Sequence, residues 1–194
     1  MSNNRQAQYP VANAFTARWS PRAFDGQPLT REQMQSLFEA ARWAPSAHNF
    51  QPWRFCYALA GTAQFEAFVG LLVEANQTWA RHAGALVAVL SQTTRPDSQG
   101  EEKPFPTHAF DTGAAWMSLA VQAFEMGLMT HAMAGFDAAR AREHLQLPDN
   151  VAIHAFVAIG RRGDVSALPE ALQARERASE RDPQEQWVFH GPMA

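Results

Sequence analysis

Residues 108–126 read as one long helix whose apolar side chains fall on every side rather than along a single stripe. Phe110, Trp116, Met117, Leu119, Val121 and Phe124 cannot all face one core layer, because a helical face repeats only every three or four residues. Such a helix is central or lies at an interface. The strand candidates are few. Residues 85–90 are a continuous apolar run that suits a buried strand. Residues 54–59 and 151–159 read as further strands, the latter ended by Gly160. A small sheet beside a long apolar helix, in a chain of 194 residues, implies that a second subunit buries part of the apolar surface.

The remaining segments follow local signals. Thr30 and Gln33 form a capping box, and Met34, Leu37, Phe38 and Ala41 follow at helical spacing until Pro45 forbids continuation. Residues 62–79 are predicted as one helix, with Phe65, Phe68, Leu72 and Ala75 on one face. Residues 91–106 are polar, hold prolines and a glycine, and read as a long loop of the kind that often carries function. Asp137 caps a helix running through Leu145. Residues 161–184 are charged and irregular, and residues 186–189 read as a last short strand. Residues 1–14 are expected to be a lead-in, and residues 15–194 one domain with a C-terminal arm. Interleaved helices and strands give an α+β or α/β class.

Bulk properties remove several functions. A net charge of -3 asks for neither nucleic acid nor an anionic membrane. No apolar run approaches the roughly 20 residues of a membrane span. The N-terminus lacks an apolar signal core, so a cytoplasmic protein is expected. The single cysteine, Cys56, excludes an internal disulfide framework and sits in an apolar run, as a buried thiol does. There is no GxGxxG fingerprint, P-loop or GxSxG elbow. The seven histidines are scattered without metal-ligand spacing. His108 and Asp111, one turn apart, read as a helix-start interaction rather than a ligand pair.

Two segments carry chemistry. Arg18-Trp19-Ser20-Pro21-Arg22 sets two guanidiniums and a hydroxyl on alternate residues, which in extended backbone point one way. It reads as an anion clamp or as a solvated basic turn. Residues 45–53, Pro45-Ser46-Ala47-His48-Asn49-Phe50-Gln51-Pro52-Trp53, place a hydroxyl and two amides between two prolines. The amides suit a heterocycle edge, or equally a rigid turn with local hydrogen bonds.

Together these segments resemble the nitroreductase family. Arg18, Ser20 and Arg22 match its Arg-x-Ser-x-Arg/Lys opening. Pro45, Ser46, Asn49, Gln51, Pro52 and Trp53 match its Pro-Ser-x-x-Asn-x-Gln-Pro-Trp loop. Asn76 and Trp79 match an Asn-x-x-Trp pattern, and residues 131–137 look like the turn that approaches a flavin ring. The resemblance implies an α+β fold, with a mainly antiparallel central sheet flanked by helices and an intertwined homodimer. It implies FMN as cofactor, NADH or NADPH as cosubstrate, and a small electron-poor acceptor.

Carried over by position, Arg18 and Ser20 hold the phosphate and ribityl end, with Trp19 between them. Arg22 faces the N1 and C2 carbonyl edge of the ring. Ser46, Ala47 and Asn49 come from the partner subunit, on a loop that Pro45 and Gln51 help to shape. Asn76 meets the pyrimidine edge. Ala134 and Gly135 offer backbone N–H groups near N5 and O4, and Arg181 reaches the phosphate. Phe110 or Phe124 lines the pocket. Trp79 stands where some relatives have a cation, Ala134 where some have Glu, and Ser179 where a basic residue often lies. No side chain is singled out as a catalytic acid or base, and no metal is expected. The resemblance also leaves open other flavin chemistry, and a flavin-binding or sensing role with little turnover.

Overall fold

The computed structural model describes residues 5–193; residues 1–4 of the expected lead-in lie outside them. In chain order the elements are α1 (Asn13–Ala17), α2 (Arg31–Arg42), β1 (Trp53–Leu59), α3 (Ala63–Leu71), α4 (Glu74–Ala80), β2 (Ala85–Gln92), β3 (Thr94–Pro96), β4 (Glu102–Pro104), α5 (His108–Glu125), β5 (Met129–Met133), α6 (Ala138–His144), β6 (Val151–Gly160) and α7 (Glu170–Gln173). The main sheet has the order β1-β2-β6-β5, and every neighbouring pair is antiparallel. The α+β class with helices flanking an antiparallel sheet is therefore what the chain adopts.

β2 is buried on both faces, which explains its unbroken apolar run. Ala85, Val87 and Val89 pack under α2 and α5 with Met34, Leu37, Leu119 and Ala123. Leu86, Ala88 and Leu90 pack on the opposite side with Phe65, Phe68, Trp79 and Ala141 of α3, α4 and α6. α2 starts at the capping box: Gln33 N–H donates to Thr30 Oγ1, and Thr30 N–H donates to the Gln33 side chain. Asp137 caps α6 by accepting from Arg140 N–H.

Four expectations give way in the structure. The single helix of residues 62–79 is two helices, because Leu72 leaves the helix to bridge Phe136 and Val73 N–H donates to the Gly135 carbonyl. The loop of residues 91–106 holds a hairpin, β3 with β4, whose register runs from Thr94 opposite Pro104 to Pro96 opposite Glu102. Residues 131–137 begin as the edge strand β5 and turn only after Met133. Residues 186–189 are not a strand. After Pro183 the Gln184 carbonyl accepts from both Trp187 and Val188 N–H, so the backbone closes on itself instead of pairing. Asn13–Ala17 is also helical, across the expected boundary between lead-in and domain.

Phe156 of β6 is fully buried, edge-on to Phe68 (5.6 Å between centroids) and tilted on Phe136 (5.2 Å). Phe156→Ala should cost about 3–5 kcal/mol. The check is the urea midpoint at fixed protein concentration; a loss below ~1 kcal/mol would show that this face of the sheet is not a packed core.

Candidate functional site

Strand β5, the 18–22 segment and the C-terminal segment meet at one edge of the sheet. His131 of β5 donates from Nδ1 to the Pro21 carbonyl (2.9 Å) and packs with its ring tilted against Trp79 (4.6 Å between centroids). Trp79 is thus a core residue, also packed on Phe24. Burial, the largest influence, pushes the His131 pKa below the usual histidine value. The Pro21 carbonyl opposes this, Arg22 adds to it, and Glu176 opposes it.

The two arginines of the 18–22 segment have different electrostatic neighbours. Arg18 is half-buried, and its Nε is fully buried with no hydrogen-bond partner among the described residues. Burial and then Arg181 lower its pKa. Arg5 joins them: its Nη1 donates to the Arg18 carbonyl (2.8 Å), its Nε donates to the Ser179 carbonyl (2.6 Å), and burial, Arg181 and Arg18 lower its pKa while Glu180 opposes them. Neither Arg18 nor Arg181 makes a salt bridge among the described residues. Arg18, half-buried beside the exposed Arg181, is thus left with a like-charged neighbour, an arrangement that a bound anion would relieve. Arg22 instead has Arg175 and Glu176 as its charged neighbours. The second guanidinium acting on Arg18 is therefore Arg181, not Arg22. Trp19 turns its ring to the Arg162 guanidinium (5.4 Å) and, with Phe124 and Met129, lines a cavity of about 1110 Å³. Phe110 stands exposed on the surface.

A second cluster joins Asn76 to the 134–135 turn. The Gly135 carbonyl accepts from Asn76 Nδ2 (3.0 Å) and Val73 N–H (3.1 Å). A Cβ on Gly135 would stand 2.8 Å from Asn76 Nδ2 and 2.9 Å from a Val73 methyl, so any other residue here would push the Asn76 amide or Val73 aside. Neither Ala134 nor Gly135 N–H donates a loop hydrogen bond among the described residues.

The 45–53 loop is a third unit. His48, Asn49 and Gln51 all have positive φ, near 55°, a conformation that costs non-glycine residues free energy and clusters at functional sites. Ser46 Oγ accepts from Gln51 N–H (3.0 Å), and the Asn49 carbonyl accepts from Gln51 Nε2 (2.9 Å). Asp111, buried at the start of α5, accepts from Ala47 N–H and from Thr107 Oγ1, both at 3.1 Å. The expected helix-start interaction between Asp111 and His108 does not form among the described residues: His108 bonds Ser91 Oγ instead (2.7 Å). Pro45 and Asn49 are exposed. Among the described residues no hydrogen bond joins this loop to the 18–22 segment or to the Asn76–Gly135 pair. Cys56 is half-buried and its thiol pKa is pushed up by burial. No group of three or more metal-ligating side chains occurs among the described residues.

Sequence reasoning missed Arg5, Glu176 and the role of Asp111. Arg5 had one signal, being the only charged residue before Arg18. Glu176, set between Arg175 and Arg177, had only that bracketing.

The 18–22 segment with its neighbouring arginines, the Asn76 amide on the Gly135 turn and the strained 45–53 loop are thus three units set on one antiparallel sheet of an α+β protein. Residues 15–64 and 58–161 match the Nitroreductase family. The chain belongs to that family. It is 31% identical over 186 residues to an NADH dehydrogenase of Thermus thermophilus, across 80% of this chain and 89% of that protein. A solved oxidoreductase containing FMN superposes with a TM-score of 0.97 at 47% identity, over 100% of this chain and 98% of the other. A nitroreductase family protein of Streptococcus pneumoniae shares the fold, with a TM-score of 0.71 at 18% identity over 91% and 98% of the two chains.

The depressed pKa of His131 fixes a direction for stability against pH. Its neutral form is favoured when folded, so the unfolded chain takes up the proton first as pH falls. Its contribution is complete above the ordinary histidine value near ~6.5 and is lost as pH drops through the folded value, by at most ~1.4 kcal/mol per pH unit. His154, lowered by burial and then by His108, acts in the same direction. The melting temperature should fall between about pH 7.5 and 5.5, and His131→Gln should flatten that fall. An unchanged slope in the variant would remove His131 from the account.

Proposed function

We propose that this protein is a cytoplasmic, FMN-dependent oxidoreductase. It moves reducing equivalents from NADH or NADPH to a nitroaromatic, quinone or similar electron-poor acceptor, the two substrates taking turns at one site. The observation that carries the reading is the buried Arg18 guanidinium Nε, which has no hydrogen-bond partner among the described residues and has Arg181 as a like-charged neighbour. A single phosphate group fits that need, and the solved relative at 47% identity is an oxidoreductase containing FMN.

The residues divide the work. Arg18 and Arg181 bind the phosphate, with Ser20 toward the ribityl chain. Arg22 presents a cation to the N1 and C2 carbonyl edge, where it stabilises the negative charge that reduction places there. Asn76 orients the pyrimidine edge, and the Ala134 and Gly135 N–H groups face N5 and O4. The glycine at 135 lets Asn76 and Val73 close on the turn that carries those N–H groups. When bound, FMN supplies the hydride acceptor and donor. No side chain is needed as an acid or base.

The site is completed in a homodimer, where Ser46, Ala47 and Asn49 reach the partner's ring. Two observations support this. Asn49 is exposed on a loop already rigid. Tyr9, Val11 and Phe15 near one terminus, and Trp187, Val188 and Phe189 near the other, are large apolar side chains at least 42% exposed in the isolated chain.

Purified protein should release FMN, not FAD, on denaturation. It should oxidise NADH or NADPH with menadione or a nitroaromatic, giving parallel initial-rate lines. FAD, or intersecting lines, would overturn the scheme; bound flavin without turnover would make this a flavin-binding protein instead. Arg18→Ala removes a charge-assisted hydrogen bond of roughly 1.5–3 kcal/mol, so FMN affinity should fall about 10- to 150-fold. Titration of apoprotein by flavin fluorescence reads this directly, and an unchanged affinity would place the phosphate elsewhere.

A further inference from the structure

One buried carboxylate fastens the C-terminal segment to the 18–22 segment. Glu176 is 3% exposed, although Arg175 and Arg177 on either side are exposed. Its Oε1 accepts from the N–H groups of Arg22 and Ala23, both at 2.8 Å, and its Oε2 lies 3.0 Å from the Arg22 nitrogen. Among the described residues no salt bridge neutralises it. Burying an ionised carboxylate is costly, and two backbone donors offset only part of that cost. A neutral amide would satisfy the same two donors without burying a charge. What the charge adds is its field, which acts on the Arg22 guanidinium and the His131 imidazole.

A second tie lies three residues further on. Arg5 donates to the Ser179 carbonyl and to the Arg18 carbonyl. The segment is thus bound to the Arg22 backbone through Glu176, and to the Arg18 backbone through Arg5. Just beyond the second tie it carries Arg181 to Arg18.

We propose that Glu176 is a positioning residue of the cofactor site: it docks the C-terminal segment onto the 18–22 segment, and its charge offsets part of the Arg22 field on the flavin. This rests on the FMN reading and on the place given there to Arg22. With Glu176 ionised, reduced FMN gains less from Arg22 than that cation alone would give.

Two variants separate docking from charge. In Glu176→Gln the remaining Oε1 can keep both backbone hydrogen bonds while the charge is gone. In Glu176→Ala both the bonds and the charge are lost. The midpoint potential of each holoenzyme is measured by spectroelectrochemistry with FMN in excess, and tryptic cleavage after Arg175 and Arg177 is timed without added substrate. Glu176→Gln should raise the preference for reduced over oxidised FMN about tenfold, a shift of ~30 mV to more positive potential for a two-electron couple. Glu170→Gln, which neutralises an exposed carboxylate at the start of α7, should leave the potential where it was. Glu176→Ala should speed cleavage at the two arginines about tenfold, as expected when local opening becomes easier by ~1.4 kcal/mol. A potential in Glu176→Gln that is unchanged or more negative, or equal to that of Glu170→Gln, overturns the charge role. Cleavage of Glu176→Ala at the parent rate overturns the docking role. A parent protein that takes up no FMN defeats the function reading instead, and the cleavage rates, which need no flavin, still decide the docking role.

Discussion

β2 has no solvent face, and both layers of helices are set by that. Its residues alternate between two cores, one under α2 and α5 and one under α3, α4 and α6. Each core needs its own cover, so the chain must cross the sheet repeatedly, and its irregular segments collect at the sheet's ends and edges. The polar end of β2 shows how tightly this is held. Ser91 is fully buried and bonds both His108 Nδ1 (2.7 Å) and His154 Nε2 (2.6 Å). His154 can reach it because the pairing of β2 with β6 shifts between Val89 and Leu90, leaving His154 as the extra residue.

The edge strand β5 extends the same constraint to the candidate site. It pairs only with β6 within the sheet, and its far end passes into the 134–135 turn. That turn is where α3 and α4 part: Leu71 and Leu72 pair with it through backbone contacts, and Val73 and Asn76 donate to the Gly135 carbonyl. The helix break, the glycine and the amide are one arrangement. Net charge said nothing about the neighbouring arginines. A chain of charge -3 still gathers Arg5, Arg18 and Arg181, because local field depends on placement rather than on the sum.

Elements governed by their own residues were legible in the sequence. α2 announced itself through Thr30 and Gln33, α6 through Asp137, and β2 through an apolar run. α5 was legible because no other element tolerates so many apolar residues over that length. What the sequence hid depends on partners distant in the chain. Nothing local marks Leu72 as a helix end, since the cause is Phe136. The Met129–Met133 strand is short and mixed, and its pairing with β6 makes it a strand. The candidate site divides likewise. Its motifs were visible as residues, but Glu176 and Arg5 act on the backbone of Arg22 and Arg18 across 154 and 13 residues of chain respectively. Backbone recognition by a distant side chain leaves no pattern in sequence.

The 45–53 loop shows what such long-range support is for. Three non-glycine residues with positive φ in one short loop carry strain of the order of 1–3 kcal/mol each, so the loop would relax if nothing held it. Pro45 and Pro52 limit its ends, Asp111 holds Ala47 N–H, and Phe50 meets Phe105 edge-on at 4.7 Å. The strain is thus balanced by contacts to α5 and to the segment before it, and Asn49 is left presented outward. A loop shaped in advance gives up little conformational freedom when it meets a ligand or a second subunit. In the proposed dimer, this lets the loop contribute its side chains to the partner's site without ordering anything first. The long apolar helix that first implied a second subunit is also the element that supplies Asp111. The surface expected to join the subunits and the brace of the loop expected to reach across therefore belong to one helix.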